Sequence, residues 1–235
     1  MSQRVTIFDK LASIGCQFAD THLISVDIED TLAEAIETLP YSPDKGRLLK
    51  VLCSWILENG DQVILEKLGK ILTKKAAAGA DVSYAAFLGA FATSNKIHKW
   101  SLLKKFGPQK EVLISDKNHG QNPVNWAQEV NFFLATDALK TDAKYTLSRA
   151  QLAKMHKQYR NRLIYGAQYR ADIVTATQLG LTRVKDIVRL IGVSQEPASR
   201  ILADLRDAGI LQSRTLPAMS HEGYLEDSHT LRPDR

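Results

Sequence analysis

The chain has 235 residues, of which 44% are hydrophobic and 24% charged, and its formal net charge is +5. This composition excludes global disorder, because enough apolar side chain is present to bury a core in one large or two modest domains. It also excludes a membrane-spanning helix, since the apolar runs are far shorter than the roughly 20 residues needed. Residues 1–18 lack the layout of a signal peptide, so we expect a cytoplasmic protein. Cys16 and Cys53 form no ligand cluster and are expected to be reduced thiols.

Helical periodicity covers most of the chain and predicts a mainly α protein. The expected helices are 5–22, 30–39, 46–58, 61–72, 82–92, 100–106, 125–139, 147–164 and 171–179. Asp30 or Thr31 is expected to cap the second of these helices. The pattern weakens between 107 and 123, where 111–115 favours a short strand and 116–123 a loop.

Residues 182–210 have the spacing of two short helices that pack across a sharp turn. The apolar faces of the two helices are Val184, Ile187, Val188 and Ile191, followed by Ala198, Ile201, Leu202 and Leu205. Gly192 is expected to end the first helix with a positive φ, and Val193 to plug the turn. Ser194 is a good N-cap for the second helix, whose first turn tolerates Pro197.

This segment resembles the helix-turn-helix of bacterial transcription regulators, particularly winged-helix regulators. The likeness covers about 40 residues and rests on the turn 191–194, the small Ala198, and the exit 203–211. It implies an N-terminal helical domain followed by a C-terminal tri-helical, winged-helix-like domain. An ordinary pair of antiparallel helices is the alternative, because both motifs join two helices by a short turn.

The resemblance assigns a role to the polar residues of the two helices. The leading residues of the second helix would contact base edges in the DNA groove: Gln195, Glu196, Ser199 and Arg200. These side chains can bond adenine, cytosine and guanine in the major groove. The residues expected at phosphates are Thr182, Arg183, Lys185, Ser194 and Arg206. Each could instead be an ordinary solvated helix residue.

The charge distribution favours a basic surface near this motif. Residues 1–45 contain three basic and eight acidic side chains, whereas residues 140–170 contain eight basic side chains and one acidic side chain. We therefore expect four regions: an effector or oligomerisation domain (1–145), a basic connector helix (146–165), the helix-turn-helix domain (166–215) and a polar tail (216–235). A wing is expected to be minimal, over about 210–215, because the tail is not basic.

The sequence carries no recognisable catalytic motif. Phosphate-binding glycine loops, nucleophile elbows and paired metal-ligating histidines are all missing, so we expect no enzyme activity, no cofactor and no bound metal. The predicted function is sequence-specific binding of double-stranded DNA by a homodimeric transcriptional regulator. We also expect an unidentified protein or small-molecule effector at the N-terminal domain.

Two alternatives remain at this point. One is a helical protein-interaction module, such as an antitoxin or a complex subunit. The other is an RNA-binding factor that uses residues 94–110, where five lysines alternate with Trp100 and Phe106. Aromatic rings beside basic groups suit single-stranded nucleic acid, although the same spacing describes a core face with a solvated basic side.

Overall fold

A computed structural model describes residues 5–18, 21, 23–114, 123–135 and 138–211, and in this range the chain is mainly helical, as the sequence predicts. The α-helices are α1 (Ile7–Ser13), α2 (Ile28–Thr38), α3 (Lys45–Asn59), α4 (Leu65–Ala77), α5 (Tyr84–Ser94), α6 (Asn125–Gln128), α7 (Arg149–Met155), α8 (Lys157–Tyr165), α9 (Tyr169–Gln178), α10 (Val184–Ile191) and α11 (Gln195–Asp207). Short 3-10 helices span Leu39–Tyr41, Gly60–Gln62, His98–Phe106 and Ala143–Tyr145. Strands β1 (Val112–Leu113) and β2 (Phe132–Phe133) pair in parallel, with Val112 opposite Phe132.

Two clusters of buried apolar side chains organise the fold. The larger cluster involves helices α1–α7, the small sheet and Tyr159 of α8. The smaller cluster is formed by α9, α10 and α11, whose packing produces the expected tri-helical unit. The two clusters separate near residue 165, and the four expected regions and their boundaries remain predictions.

The larger core closes around two buried tryptophans. Trp55 of α3 donates from Nε1 to the carbonyl of Ile14 at 2.7 Å, and Trp100 donates to the carbonyl of Gly60 at 3.0 Å. Such bonds satisfy the indole N–H groups while their rings are buried. A Cβ on Gly89 would lie 2.8 Å from the Trp100 carbonyl oxygen, so glycine permits close packing of α5 against 98–106.

Several predicted boundaries are wrong for local reasons. The helix expected over 5–22 ends at Ser13, and Gly15 then adopts a φ of 98°. The helix expected over 125–139 ends at Gln128, because Asn131 takes a φ of 60° and the chain continues into β2. The expected cap of α2 is also wrong: Asp27 accepts hydrogen bonds from the N–H groups of Glu29 and Asp30.

The expected single connector helix is two helices. His156 interrupts it with extended backbone angles, φ −114° and ψ 107°, and its Nδ1 accepts a hydrogen bond from the N–H of Tyr159. This bond caps α8 and allows the chain to turn between α7 and α8. The helices over 30–39, 61–72, 82–92 and 171–179 are present with shifted ends, whereas 100–106 forms 3-10 rather than α-helix.

In the ranges that the structure describes, every helix is too short or too polar to cross a bilayer.

The turn between α10 and α11 provides a test of the fold. Gly192 has a φ of 74°, and a Cβ at this position would meet no atom within 4 Å. Gly192→Ala should therefore lower the free energy of unfolding by about 1–2 kcal/mol through backbone strain alone. Gly69→Ala is the matched control, because Gly69 lies inside α4, has equal space and lacks a positive φ.

We expect Gly69→Ala to raise the same free energy by about 0.5–1 kcal/mol, since alanine is the better helix former. Urea unfolding monitored by circular dichroism measures both changes. Equal effects of the two substitutions would contradict the left-handed turn.

Candidate nucleic-acid interface

The smaller core fixes the orientation of α11. Ala198, Leu202 and Leu205 lie on its buried face and pack with Ile173 of α9 and Ile187 of α10. Since these buried positions follow helical spacing, the opposite face of α11 must lie at the surface. Apolar packing against the two preceding helices thus determines which face of α11 lies at the surface.

The turn before α11 has the predicted form. Gly192 ends α10 in the left-handed region, Val193 is buried in the smaller core, and Ser194 has the extended angles of an N-cap. The hydroxyl of Ser194 makes no capping hydrogen bond, and this residue is exposed. Its expected cap position is therefore confirmed, whereas its side chain remains available for another contact.

The residues expected to read bases lie together at the start of α11. Gln195, Glu196 and Arg200 are exposed, and Ser199 is half-buried beside them. The described structure gives none of these four side chains a hydrogen bond or ion pair to the rest of the chain. They form a continuous polar surface over the first turns of α11, which is called here the leading face.

The residues expected at phosphates lie close to the leading face in sequence, and their side chains are exposed to solvent. Thr182, Arg183 and Lys185 are exposed around the start of α10, where Arg183 is the N-cap and makes no capping hydrogen bond through its side chain. Arg206 is exposed near the end of α11. Main-chain N–H groups at a helix start and nearby cations both favour an anion such as phosphate.

Acidic groups near the leading face are partly neutralised. Arg170 of α9 lies 2.5 Å from Asp204 of α11, an ion pair that compensates one of the two aspartates toward the end of this helix. Asp207 and Glu196 remain exposed. The leading face therefore has mixed charge, and its contacts would depend on individual side chains more than on a strong positive field.

The predicted basic surface over 140–170 is smaller than the sequence suggests. Arg162 is fully buried, and Lys144 and Arg149 pair with Asp142 and Asp61. The exposed basic side chains of α7 and α8 for which the described structure gives no acidic partner are Lys154, Lys157 and Arg160. Three of the basic side chains counted in this region therefore stabilise the fold or pair with acidic residues, and they add little to a basic surface.

The aromatic platform expected of an RNA-binding factor is not present at Trp100. This side chain is fully buried and its indole N–H is satisfied by a carbonyl, so its ring cannot stack on a base. Lys99 donates to the carbonyls of Asp61 and Val63, and Lys104 pairs with Glu129. The stretch serves mainly as a core segment with a lysine-rich outer side.

A buried ion network joins α9 to the larger core, and no local sequence pattern predicts it. Arg162 uses all five of its N–H donors: two bonds reach Glu29 at 2.6 and 2.7 Å, two reach Asp172 at 2.9 Å, and one reaches the Gln62 carbonyl at 2.8 Å. Lys67 contacts Asp27 and lies 3.3 Å from both Glu29 and Asp172. These five side chains are called here the interhelical ion network.

Opposite charges within the network favour the charged forms of Lys67 and Asp27. Burial opposes the charge on Lys67, but its three carboxylate neighbours raise the pKa of Lys67 overall. Burial likewise opposes the charge on Asp27, but Lys67 and neighbouring donors lower the pKa of that carboxyl overall. Since Lys67 already supplies a cation among the three carboxylates, the oxygen cluster of Asp27, Glu29 and Asp172 is explained without a metal ion.

Only a weak sequence signal could have revealed this network. Asp27 and Glu29 look like ordinary acidic residues at a helix start, which Asp27 partly is. Arg162 belongs to a run of basic residues and has no distinguishing neighbour. Its burial results from contact with α2, which is more than one hundred residues away in sequence.

No protein-family model, curated protein sequence or solved structure matches this chain.

Removal of Arg162 should strongly destabilise the fold. In Arg162→Met, the carboxylates of Glu29 and Asp172 stay buried without their main cation, which costs about 3–5 kcal/mol of unfolding free energy. Arg170→Met is the matched control, because it removes an exposed ion pair worth at most about 1 kcal/mol. Chemical unfolding at neutral pH measures both, and similar losses would show that the buried network is not a major support.

His156 should make stability depend on pH. Burial, assisted by the Arg162 charge, lowers the pKa of His156 from 6.5 to about 4. The unfolded chain therefore takes up a proton that the folded chain excludes, and stability falls as the pH drops from 6.5 toward 4. The expected loss over this window is about 3 kcal/mol.

His156→Asn retains a capping side chain for α8 but cannot titrate. The difference between the unfolding free energies of the variant and the natural protein should therefore change across this pH window and be constant above it. A difference that is independent of pH between 4 and 7 would contradict a neutral, buried His156.

Proposed function

We propose that this protein is a sequence-specific duplex DNA-binding transcriptional regulator that acts in the cytoplasm through α9, α10 and α11. The observation that carries the proposal is the leading face: polar side chains at the start of α11 are exposed above a buried tri-helical core. A recognition helix requires such a surface, because side chains near its N-terminus contact base edges when it enters the major groove.

Each side chain has a chemically suitable target. Arg200 can donate two hydrogen bonds to guanine, Gln195 can bond adenine in two-pronged fashion, and Glu196 can accept from cytosine. Thr182, Arg183 and Lys185 would contact phosphates beside the groove and fix the register of the helix. Because the leading face has mixed charge, we expect only moderate affinity for nonspecific DNA. Contacts with bases should then contribute a larger part of the binding free energy on a specific site.

A homodimer is part of the proposal. A single helix-turn-helix buries little surface on DNA, and two copies related by a two-fold axis would bind two half-sites together. Leu163 and Ile164 of α8 are exposed apolar residues that supply surface for contact with a second copy. Leu163 and Ile164 also favour the alternative of a protein-interaction module, because exposed apolar side chains suit contact with another protein. Such a module would bind a different partner and would not bind DNA.

Selection of bound fragments from random duplex DNA tests the proposal and yields a cognate duplex. On that duplex, the double change Gln195→Ala with Arg200→Ala should lower affinity by about 10–100-fold, and on a shuffled duplex it should change little. The control double change is Gln109→Ala with Lys110→Ala, which removes one amide and one positive charge from exposed positions in the larger unit. Failure of the selection to enrich any sequence would contradict specific recognition.

The phosphate contacts should give a different signature. Arg183→Ala with Lys185→Ala should weaken binding to cognate and shuffled duplexes alike, because phosphates carry no sequence information. The slope of log affinity against log salt concentration should become shallower by about 2, one for each lost contact. Fluorescence anisotropy over a range of salt concentrations measures the slope. An unchanged slope would place these side chains away from the DNA backbone.

A further inference from the structure

A cavity lies between the two apolar clusters, apart from the leading face. Its volume is about 700 Å³, and its walls come from α1, α2, α7, α8, α9, α10, His156 and the segment 23–27. Cavities of this size hold drug-sized molecules and occur preferentially between structural units. A molecule bound here would contact both the larger core and the tri-helical unit.

The apolar part of the wall is unusually exposed. Met155, Leu179 and Leu190 all border the cavity and have 44%, 56% and 59% of their surface exposed. Isolated exposed apolar residues are common, but convergence of several on one concave surface is typical of a binding site. An apolar body of a ligand would cover these side chains and remove their surface from water.

The charged part of the wall is mainly acidic. Asp27, Asp30 and Asp172 border the cavity, and Lys157 is the one basic residue in the described lining apart from the neutral His156. Asp27 and Asp172 are held by the interhelical ion network, whereas Asp30 has no ion pair within the described ranges. Partial burial and the nearby Asp27 carboxylate raise the pKa of Asp30. A ligand cation beside Asp30 would relieve this repulsion.

A buried imidazole also borders this cavity. His156 is only 8% exposed, and its ring has the Val26 backbone and the N–H of Tyr159 as hydrogen-bond partners. Because its Nδ1 accepts from the N–H of Tyr159, the neutral ring carries its proton on Nε2. The cavity therefore contains a neutral imidazole, which adds no positive charge to its wall.

We infer that this cavity binds a small organic cation with an apolar body, with Asp30 as its counter-ion and Leu179 and Leu190 among its apolar contacts. Binding does not depend on the proposed DNA-binding function, so it can be tested without DNA. Asp30 also borders a second cavity, of about 680 Å³, whose other charged residues are Glu66, Lys67, Lys70, Lys74, Lys105 and Arg189. That excess of basic residues disfavours a cation, which distinguishes the two cavities.

Tetraphenylphosphonium and tetraphenylborate are suitable probes, since they have nearly the same size and shape and opposite charge. Isothermal titration calorimetry on the full chain should detect saturable binding of the phosphonium and at least tenfold weaker binding of the borate. Equal affinity for the two ions, or no saturable binding of the phosphonium, would overturn the inference.

Four variants locate the site. Asp30→Asn should weaken phosphonium binding by roughly fivefold through loss of the counter-ion, and Glu34→Gln, on the same helix but outside the cavity, should leave it unchanged. Leu179→Arg should weaken binding at least tenfold by adding bulk and positive charge. Leu102→Arg makes the same change at a similarly exposed leucine that borders the second cavity, and it should have little effect.

Circular dichroism and unfolding curves identify any variant that fails to fold, and the paired changes at exposed positions keep this outcome rare. Binding that survives both Asp30→Asn and Leu179→Arg would be adventitious and would overturn the inference. Binding that is lost in Leu102→Arg but retained in Leu179→Arg would place the ligand in the second cavity and would overturn it as well.

Discussion

The structure depends on one buried guanidinium. Arg162 donates to Glu29 of α2, to Asp172 of α9 and to the carbonyl of Gln62, and it thereby connects the larger core to the helix that supports the tri-helical unit. Burial of these charges is costly unless every group is paired, so the arrangement tolerates little displacement of α8 or α9. The need to pair these charges therefore fixes the position of the two apolar clusters relative to each other. Apolar contact alone would fix that position less closely.

The same network borders the inferred cation cavity through Asp27 and Asp172. Within the tri-helical unit, apolar packing of α9 and α10 determines the direction of α11. Both proposed sites are therefore attached to α9: one through the ion pair of Asp172, the other through the buried contacts of Ile173 and Val174.

The sequence predicted features that depend on local periodicity and turn chemistry. The Gly192 turn, the Ser194 cap position and the buried faces of α10 and α11 all follow from residues within one or two helical turns. Features set by distant contacts were not predicted. The charge count places Arg162 on a basic surface, because its partners Glu29 and Asp172 lie in other helices. The break at His156 requires a side-chain cap that periodicity does not reveal. The expected wing over 210–215 and the polar tail 216–235 lie largely outside the described residues and remain predictions.

The central claim is that the start of α11 contacts base pairs. A photo-crosslinking amino acid placed at Ser199 tests it most directly, with the same group at the exposed Gln109 as a control. With selected duplex DNA, we expect efficient cross-links from position 199 to bases of the duplex and background yield from position 109. Background yield from position 199, or equal yield from the two positions, would contradict it.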